Sequence, residues 1–135
     1  MSTPLTLRAA TAADLMTHGP VSLPHTTTVS EAASFLTSRG FGAATVINDA
    51  GHPVGVVTKT DIVIHARERQ LGIGPDDTPV TGVMTPVVFA VRTDTPVRSV
   101  IEQILGLNVH HLFVTDKSGV VVGVITPVDV LKNLG

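Results

Sequence analysis

Two kinds of hydrophobic pattern alternate along this chain of 135 residues. Short runs dominated by Val, Ile and Thr are typical of strands, because β-branched residues favour extended backbone. Four of these runs form two pairs: Ala43 to Asn48 with Val54 to Thr58, and His111 to Thr115 with Val120 to Thr126. Each pair is joined by a turn that contains a glycine. The pattern therefore predicts two β-hairpins, in which Gly51 and Gly119 supply the positive φ of the turn.

Apolar residues at helical spacing precede each hairpin. They are Val29, Ala32, Ala33 and Leu36 in the first stretch, and Val97, Val100, Ile101 and Ile104 in the second. Thr27 or Thr28 is the predicted cap of the first helix, and Thr28 with Glu31 fits a capping box. The second helix is predicted to have Thr95 as its N-cap and Pro96 as its first residue, where the missing N–H has no cost.

Two further elements complete each unit. The predicted leading strands are Val21 to Leu23 and Val87 to Val91. The first helices are expected to end at Gly40 and near Asn108, both common at helix C-termini. A second helix is predicted after Thr58 and another after Thr126, where Pro127 suits the first helical position. The order of elements is therefore β-α-β-β-α in each unit.

The two units are copies related by a constant offset of 68 residues. The offset carries Met16 to Met84 and Asp61 to Asp129, and no gap is needed between residues 14 and 63. We therefore predict an α+β protein in which two repeats pack as a pseudo-twofold pair, because each half alone is too small to cover its sheet. The predicted boundaries are an N-terminal segment 1–13, repeats at 14–70 and 80–135, and a Gly- and Pro-rich linker at 71–79.

Composition removes several classes of function. The chain has no Cys, which excludes disulfides, thiolate metal sites and a Cys nucleophile. Its net charge is −2, so no basic face is implied and nucleic acid is not an expected partner. No apolar run approaches the ~18 residues of a membrane span, and the first residues lack the features of a secretory signal. We expect a cytoplasmic protein without a membrane partner.

Each copy closes its hairpin with the sequence Gly-x-x-Thr-x-x-Asp. The residues are Gly55, Thr58 and Asp61 in the first copy, and Gly123, Thr126 and Asp129 in the second. Thr-x-x-Asp is also the pattern of a helix capping box, and Thr11 to Asp14 has that pattern with no ligand expected. Three features favour a ligand: a helix N-terminus that attracts phosphate, a glycine that admits a flat group, and a carboxylate that suits ribose hydroxyls. The turn predicts a nucleotide-ribose site, with a simple helix cap as the alternative.

These stretches resemble CBS domains. The similarity is carried by Gly55 to Asp61 in the first copy, and by Val109 to Asp116 and Gly123 to Asp129 in the second. Together residues 14–134 resemble a tandem CBS pair, or Bateman module. The resemblance implies a regulatory protein that binds AMP, ADP, ATP or S-adenosylmethionine in clefts between the repeats, with no required cofactor. It also implies a flat homodimer and a separate effector protein.

The resemblance also implies roles for single residues. The motif Asp would hold ribose hydroxyls and the motif Thr would contact phosphate, with Thr60 and Val128 lying inside the two turns. A basic pair is implied 19 and 18 residues before the second Asp, at His110 and His111, whereas the first copy has no charge there. We therefore expect the Asp129 site to bind a phosphate-bearing ligand more strongly. The implied adenine-pocket walls are Met16, Val21, Met84 and Phe89.

Neither a metal site nor an enzyme is expected. Adjacent residues on a strand point to opposite faces, so His110 and His111 cannot easily bind one ion. There is no Gly-x-Ser-x-Gly sequence, and no base is evident near Thr58 or Thr126. The alternative function is a protein-interaction or dimerisation module without a ligand. Six apolar residues of the second helices are available for pairing: Ile62, Val63, Ala66, Val130, Leu131 and Leu134.

Overall fold

The computed structural model describes residues 6–18, 22–69 and 76–135. Helices and strands alternate through them, with a single 3-10 turn at Val80–Gly82. The helices are α1 (Ala12–Leu15), α2 (Val29–Arg39), α3 (Lys59–Glu68), α4 (Val97–Leu107) and α5 (Pro127–Lys132). The strands are β1 (Thr17–His18), β2 (Ser22–Pro24), β3 (Ala43–Ile47), β4 (Pro53–Thr58), β5 (Ala90–Arg92), β6 (Leu112–Thr115) and β7 (Val121–Ile125). The α+β class and the order β-α-β-β-α in both copies are confirmed.

Two compact units divide the chain. The repeat-one unit is Val21–Val88, and the repeat-two unit is Met1–Pro20 together with Phe89–Gly135. The repeat-one unit contains a three-stranded sheet in the order β2-β3-β4, and the repeat-two unit a four-stranded sheet in the order β1-β7-β6-β5. In each sheet the leading strand is parallel to the next one, which itself forms the predicted antiparallel hairpin.

The segment that precedes each repeat in sequence packs on the other repeat. Strand β1 pairs with β7 in the repeat-two unit, where Thr17 lies opposite Val124. In the repeat-one unit, Thr85 forms an antiparallel bridge with Val56. Each contact gives the outer strand of a hairpin a partner, which satisfies backbone groups that would otherwise lie at a sheet edge. The compact units therefore do not follow the linear order of the repeats.

Each unit has its own aliphatic core. The repeat-two core consists of Ala12, Leu15, Val91, Val100, Ile104, Leu112, Val114 and Ile125. The repeat-one core consists of Leu23, Ala32, Leu36, Ala44, Val46, Val57 and Val80. Alternate residues of β3 and β6 belong to these cores, as the period of two along a strand requires. Burial of each of these larger side chains stabilises the fold by roughly 1.5–3 kcal/mol.

Local signals predicted most helix ends correctly. Thr28 and Glu31 form the predicted capping box, and α2 ends at Gly40 with a φ of 69°. Helix α4 ends at Asn108 with a φ of 52°, also in the left-handed region. The predicted N-cap of α4 was wrong by one residue, because Pro96 occupies that position. The hydroxyl of Thr95 instead accepts a hydrogen bond from a backbone N–H in the preceding turn, at 3.1 Å.

The turn glycines were also predicted correctly, but the bounds of the leading strands differ. Gly51 and Gly119 both have a φ of 83°. Strand β2 includes Ser22 and Leu23 as predicted and continues to Pro24, whereas β5 is Ala90–Arg92 and begins later than predicted. Strand β5 begins later because its ladder with β6 starts where Ala90 lies opposite Phe113. The predicted linker residues 71–75 and Val21 lie outside the described residues.

Candidate functional site

The first Thr-x-x-Asp turn joins β4 directly to α3. The backbone N–H of Thr58 donates to Oδ2 of Asp61 at 2.9 Å, and the N–H of Asp61 donates to the hydroxyl oxygen of Thr58 at 3.1 Å. This reciprocal pair is a complete capping box, so the simpler alternative for the motif describes what its backbone does. The capping box uses only one of the two carboxylate oxygens of Asp61. Within the described residues, no donor hydrogen-bonds to Oδ1 of Asp61, which is half-buried.

The second turn joins β7 to α5 and uses its carboxylate differently. Oδ2 of Asp129 accepts from the N–H of Thr126 at 2.8 Å and from the hydroxyl of Thr126 at 3.1 Å. Oδ1 accepts from the hydroxyl of Thr17 at 2.8 Å. Asp129 is only 7% exposed. Both of its oxygens are therefore engaged by the protein, and buried carboxylates are stabilised by such donors.

The chain that lies beside the strand before each turn explains this difference. Strand β1 lies beside β7, which brings the side chain of Thr17 to Asp129 across 112 positions of sequence. The corresponding residue 68 positions later is Thr85, which lies beside β4 through its bridge to Val56. Thr85 is exposed, and within the described residues its hydroxyl makes no hydrogen bond to Asp61. Two turns with the same sequence pattern thus have different hydrogen-bonding states.

The glycine that precedes each turn is covered by the chain itself. A Cβ at Gly55 would lie 2.5 Å from the sulfur of Met84 and 2.8 Å from the carbonyl oxygen of the next residue. A Cβ at Gly123 would lie 2.7 Å from the sulfur of Met16 and 2.9 Å from the carbonyl oxygen that follows it. The expectation that these glycines admit a flat ligand needs correction. The close approach that requires glycine is made by the segment that precedes the other repeat, which contains Met84 at Gly55 and Met16 at Gly123.

The predicted adenine walls lie in different surroundings. Met84 packs against the repeat-one core and Met16 against the repeat-two core, so both contribute to the folded interior. Phe89 is 40% exposed, and its carbonyl oxygen accepts from the N–H of Phe113 at 3.0 Å. Val21 lies outside the described residues. Among the three described candidates, only Phe89 is exposed.

The histidine pair lies at the entrance to β6. His110 is exposed and His111 is half-buried, and both precede the first residue of the strand. Thr60 and Val128 are exposed at the second helical positions of α3 and α5. None of these side chains belongs to either core cluster. His110, Thr60 and Val128 are therefore accessible to a molecule in solution.

A polar cluster next to the first turn was missed by sequence reasoning. Asp76 accepts from the ring of His65 at 2.6 Å, lies 3.6 Å from Arg69, and accepts from the N–H of Thr78 at 3.0 Å. The hydrogen bonds from Thr78 are the largest cause that lowers the pKa of Asp76 to about 2, against the opposing effect of burial. The Asp-x-Thr turn was the available sequence signal. The turn lies within the predicted linker 71–79.

A cavity of about 190 Å³ lies beside this cluster. Its lining consists of Asp61, Ile64, His65, Glu68, Gly82 and Val83. Among residues 6–18, 22–69 and 76–135, no group of three His, Asp or Glu side chains could hold a metal ion. The helices within those ranges are all too short or too polar to cross a membrane.

Comparison with known proteins gives the family. The CBS domain family matches residues 12–68 and 80–135. An uncharacterised protein of Methanopyrus kandleri, MK0525, is 26% identical over 119 residues, which cover 88% of this chain and 57% of that protein. A 17.7 kDa protein of Acidianus ambivalens is 30% identical over 79% of this chain and 62% of its own length. This chain spans less than two thirds of these curated relatives.

Three solved structures with similar folds contain adenosine compounds. The cytosolic domain of the Mg²⁺ channel MgtE, in complex with ATP, has a TM-score of 0.76 and 28% identity over 93% of this chain and 49% of its own. CBSX2 in complex with AMP has a TM-score of 0.77 and 25% identity over 92% and 95%. The CBS pair of protein MJ0100, with 5′-methylthioadenosine and S-adenosyl-L-methionine, has a TM-score of 0.73 and 25% identity over 96% and 95%. With its two matched repeats and this shared fold, the chain belongs to the CBS domain family and carries a tandem CBS pair.

Proposed function

We propose that this chain is a regulatory module that binds an adenosine-containing ligand and transmits the bound state to a separate effector protein in the cytoplasm. The ligand class is AMP, ADP, ATP or S-adenosylmethionine. Similar CBS pairs have been solved with ATP, with AMP and with S-adenosyl-L-methionine, which supports the class. The observation that carries the proposal is the carboxylate oxygen of Asp61, at the start of α3, that accepts no hydrogen bond from the part of the chain that the structure describes.

The capping box prepares Asp61 for a ribose. Because Oδ2 is fixed by the N–H of Thr58, the side chain is held in one orientation, and Oδ1 remains as an acceptor for a ribose hydroxyl. A carboxylate oxygen is a strong acceptor, and a preorganised one loses little side-chain entropy on binding. Thr58, Lys59 and Thr60 lie at the N-terminal end of the ten-residue helix α3, where the helix dipole favours phosphate.

The second turn has a different balance. His110 and His111 are the basic pair that the family resemblance implies for this copy, and they favour a phosphate-bearing ligand near Asp129. The hydrogen bonds of Asp129 oppose this ranking, because both carboxylate oxygens already accept from Thr17 and Thr126. For the ribose contact the hydrogen bonding favours Asp61. Mutation of each aspartate separates the ranking that places Asp129 first from the ranking that places Asp61 first.

A thermal-shift and calorimetric series tests the proposal. AMP, ADP, ATP and S-adenosylmethionine are each titrated, and the folded state should be stabilised as RT ln(1 + [L]/Kd). Asp61→Ala should remove most of the shift. Asp14→Ala is the matched control, since Asp14 also closes a capping box but belongs to a turn with no proposed ligand. No shift with any compound at millimolar concentration would reject the proposal, and a loss confined to Asp129→Ala would favour the histidine-based ranking.

The module is proposed to bind its ligand without turnover. CBS pairs are regulatory modules, and the carboxylate of Asp129, which accepts from the hydroxyl of Thr126, is already engaged by Thr17 and by the cap of α5. ATP incubated with the protein should remain intact over hours when followed by chromatography. Release of ADP at a rate that scales with protein concentration would contradict this.

A second candidate function is a dimerisation module, favoured by an apolar groove between α4 and α5. The groove has a volume of about 280 Å³ and is lined by Ile101, Ile104, Leu105, Pro127, Val130 and Leu131. Leu105 is 74% exposed and Leu131 is 65% exposed, which is unusual for large apolar side chains that face only water. Light scattering should show a dimer that Leu131→Glu dissociates. A monomer at all concentrations would remove this candidate.

A further inference from the structure

We infer that the hydroxyl of Thr17 stands in for a ribose hydroxyl at Asp129 and keeps the repeat-two turn closed to ligand. This rests on the proposed function, because it assumes that the Thr-x-x-Asp turn can bind ribose. Thr17 comes from the segment before the first repeat, and 112 positions of sequence separate it from Asp129. It is a positioning residue that limits how many ligands one chain binds.

The hydrogen bond has the geometry of a strong interaction. The distance from the hydroxyl oxygen of Thr17 to Oδ1 of Asp129 is 2.8 Å, within the range for a hydroxyl and a carboxylate. Asp129 is 93% removed from solvent, and its other oxygen accepts twice from Thr126. An incoming ribose hydroxyl would therefore have to displace Thr17, because the carboxylate has little surface left.

The backbone holds Thr17 in place. Strand β1 pairs with β7, where Thr17 lies opposite Val124. The carbonyl oxygen of Thr17 lies 2.9 Å from the position of a Cβ on Gly123, so the strand crosses that glycine closely. The hydroxyl can leave Asp129 by side-chain rotation, but the backbone places it back at the same oxygen. A ligand at this turn competes with a group that is always present.

The other repeat provides an internal control. Thr85 stands 68 positions after Thr17 and lies beside β4 as Thr17 lies beside β7. Thr17 and Thr85 are both exposed, but within the described residues only Thr17 donates its hydroxyl to the motif carboxylate. The repeat-one turn is therefore open in the same sense in which the repeat-two turn is closed. One sequence contains both states of the same motif.

Isothermal titration with AMP measures the number of sites per chain. The wild type should bind one AMP, Thr17→Ala should bind two, and Thr17→Ser, which keeps the hydroxyl, should bind one. Thr85→Ala is the matched control and should bind one. In Thr17→Ala, the affinity of the repeat-two site should be at least about tenfold higher than in the wild type. The reason is that the hydrogen bond from Thr17 to the charged carboxylate of Asp129 no longer competes with the ligand. Thr17→Val, which keeps the side-chain shape, replaces Thr17→Ala if that variant does not fold.

The outcomes separate this inference from the proposed function. One site in the wild type and one in Thr17→Ala would overturn the inference and leave the function standing, and two sites in the wild type would do the same. No binding in the wild type with one site in Thr17→Ala would support the inference and reject the function for the natural chain. No binding in either protein would reject both.

Discussion

The two Thr-x-x-Asp turns have the same spacing and the same place after a strand, yet their carboxylates differ. Asp61 uses one oxygen to cap α3 and leaves the other without a donor in the described residues. Asp129 is buried and accepts three hydrogen bonds from Thr17 and Thr126. The motif itself therefore determines the cap. What the second oxygen does depends on a segment that the motif does not contain.

The largest expected difference between the repeats is the stability cost of removing each carboxylate. Asp129→Ala should lower the free energy of unfolding by about 3 kcal/mol, because the hydroxyl of Thr17 and the N–H and hydroxyl of Thr126 lose a charged acceptor that is itself buried. Asp61→Ala should cost about 1 kcal/mol, the usual effect of losing a capping interaction. Urea denaturation followed by circular dichroism measures both. Equal losses would show that Thr17 contributes nothing to Asp129.

The next largest loss of stability should be the same in both repeats. It tests whether the segment before each repeat, which contains Met16 or Met84, packs closely on the glycine of the other repeat. Gly55→Ala and Gly123→Ala should each destabilise by about 2 kcal/mol, because a Cβ would meet a methionine sulfur and a backbone carbonyl at under 3 Å. Gly106→Ala is the control in helix α4, where nothing lies within 4 Å of the added Cβ, and it should stabilise by up to about 1 kcal/mol. A tolerated Gly55→Ala would contradict the close crossing of Met84.

Sequence reasoning succeeded wherever the physical signal was local. The β-α-β-β-α order, the capping box of Thr28 and the left-handed ends at Gly40 and Asn108 all depend on residues within about four positions of one another. The predicted N-cap of α4 was wrong because the hydroxyl of Thr95 accepts from the preceding turn, and Pro96 occupies the N-cap position without a side-chain cap. Local patterns with two uses for one side chain remain ambiguous.

The candidate site was predictable only in part, because its decisive contacts are distant in sequence. The motif located both turns, but nothing near Asp129 announces Thr17, which lies 112 positions earlier. The offset of 68 residues paired Met16 with Met84 correctly. It did not indicate that Met16 packs on Gly123 of the second repeat and Met84 on Gly55 of the first. A periodic sequence shows which residues are equivalent. It does not show which copy supplies the neighbour.

A smaller difference concerns one position in the middle strand of each sheet. Thr45 is fully buried, and within the described residues its hydroxyl has no hydrogen-bond partner, whereas the equivalent Phe113 is apolar and 1% exposed. Thr45→Val should stabilise the protein by about 1 kcal/mol, since it removes an unsatisfied buried hydroxyl and keeps the shape. Thr45→Ser is the control and should destabilise. A loss of stability with Val would indicate that the hydroxyl has a partner in solution.

The smallest difference should be visible only in acid and concerns the segment before β5. The pKa of Asp76 is lowered to about 2, chiefly by hydrogen bonds from Thr78, so its contacts stabilise the folded repeat-one unit above about pH 4. That contribution is lost as the pH falls through about 2, when the folded carboxylate takes up a proton. The equivalent position in the other copy is Arg8, so that copy has no carboxylate at this place. Asp14 in the repeat-two unit, whose pKa is lowered first by the N–H of Ala10, acts in the same direction and needs its own control.

Thermal melts between about pH 4 and about pH 2 separate these contributions. Wild type should lose stability across the interval, and Asp76→Asn should lose less of it, because its amide does not titrate there. Asp14→Asn controls for the carboxylate of the repeat-two unit. His65 and Arg69 face Asp76 and are present in both proteins, so the difference between the two slopes belongs to the carboxylate. Parallel curves for wild type and Asp76→Asn would mean that the carboxylate of Asp76 does not help to hold its segment on the repeat-one unit. Backbone and apolar contacts alone would then hold that segment, as the N–H of Arg8 on the carbonyl oxygen of Asn133 does in the repeat-two unit.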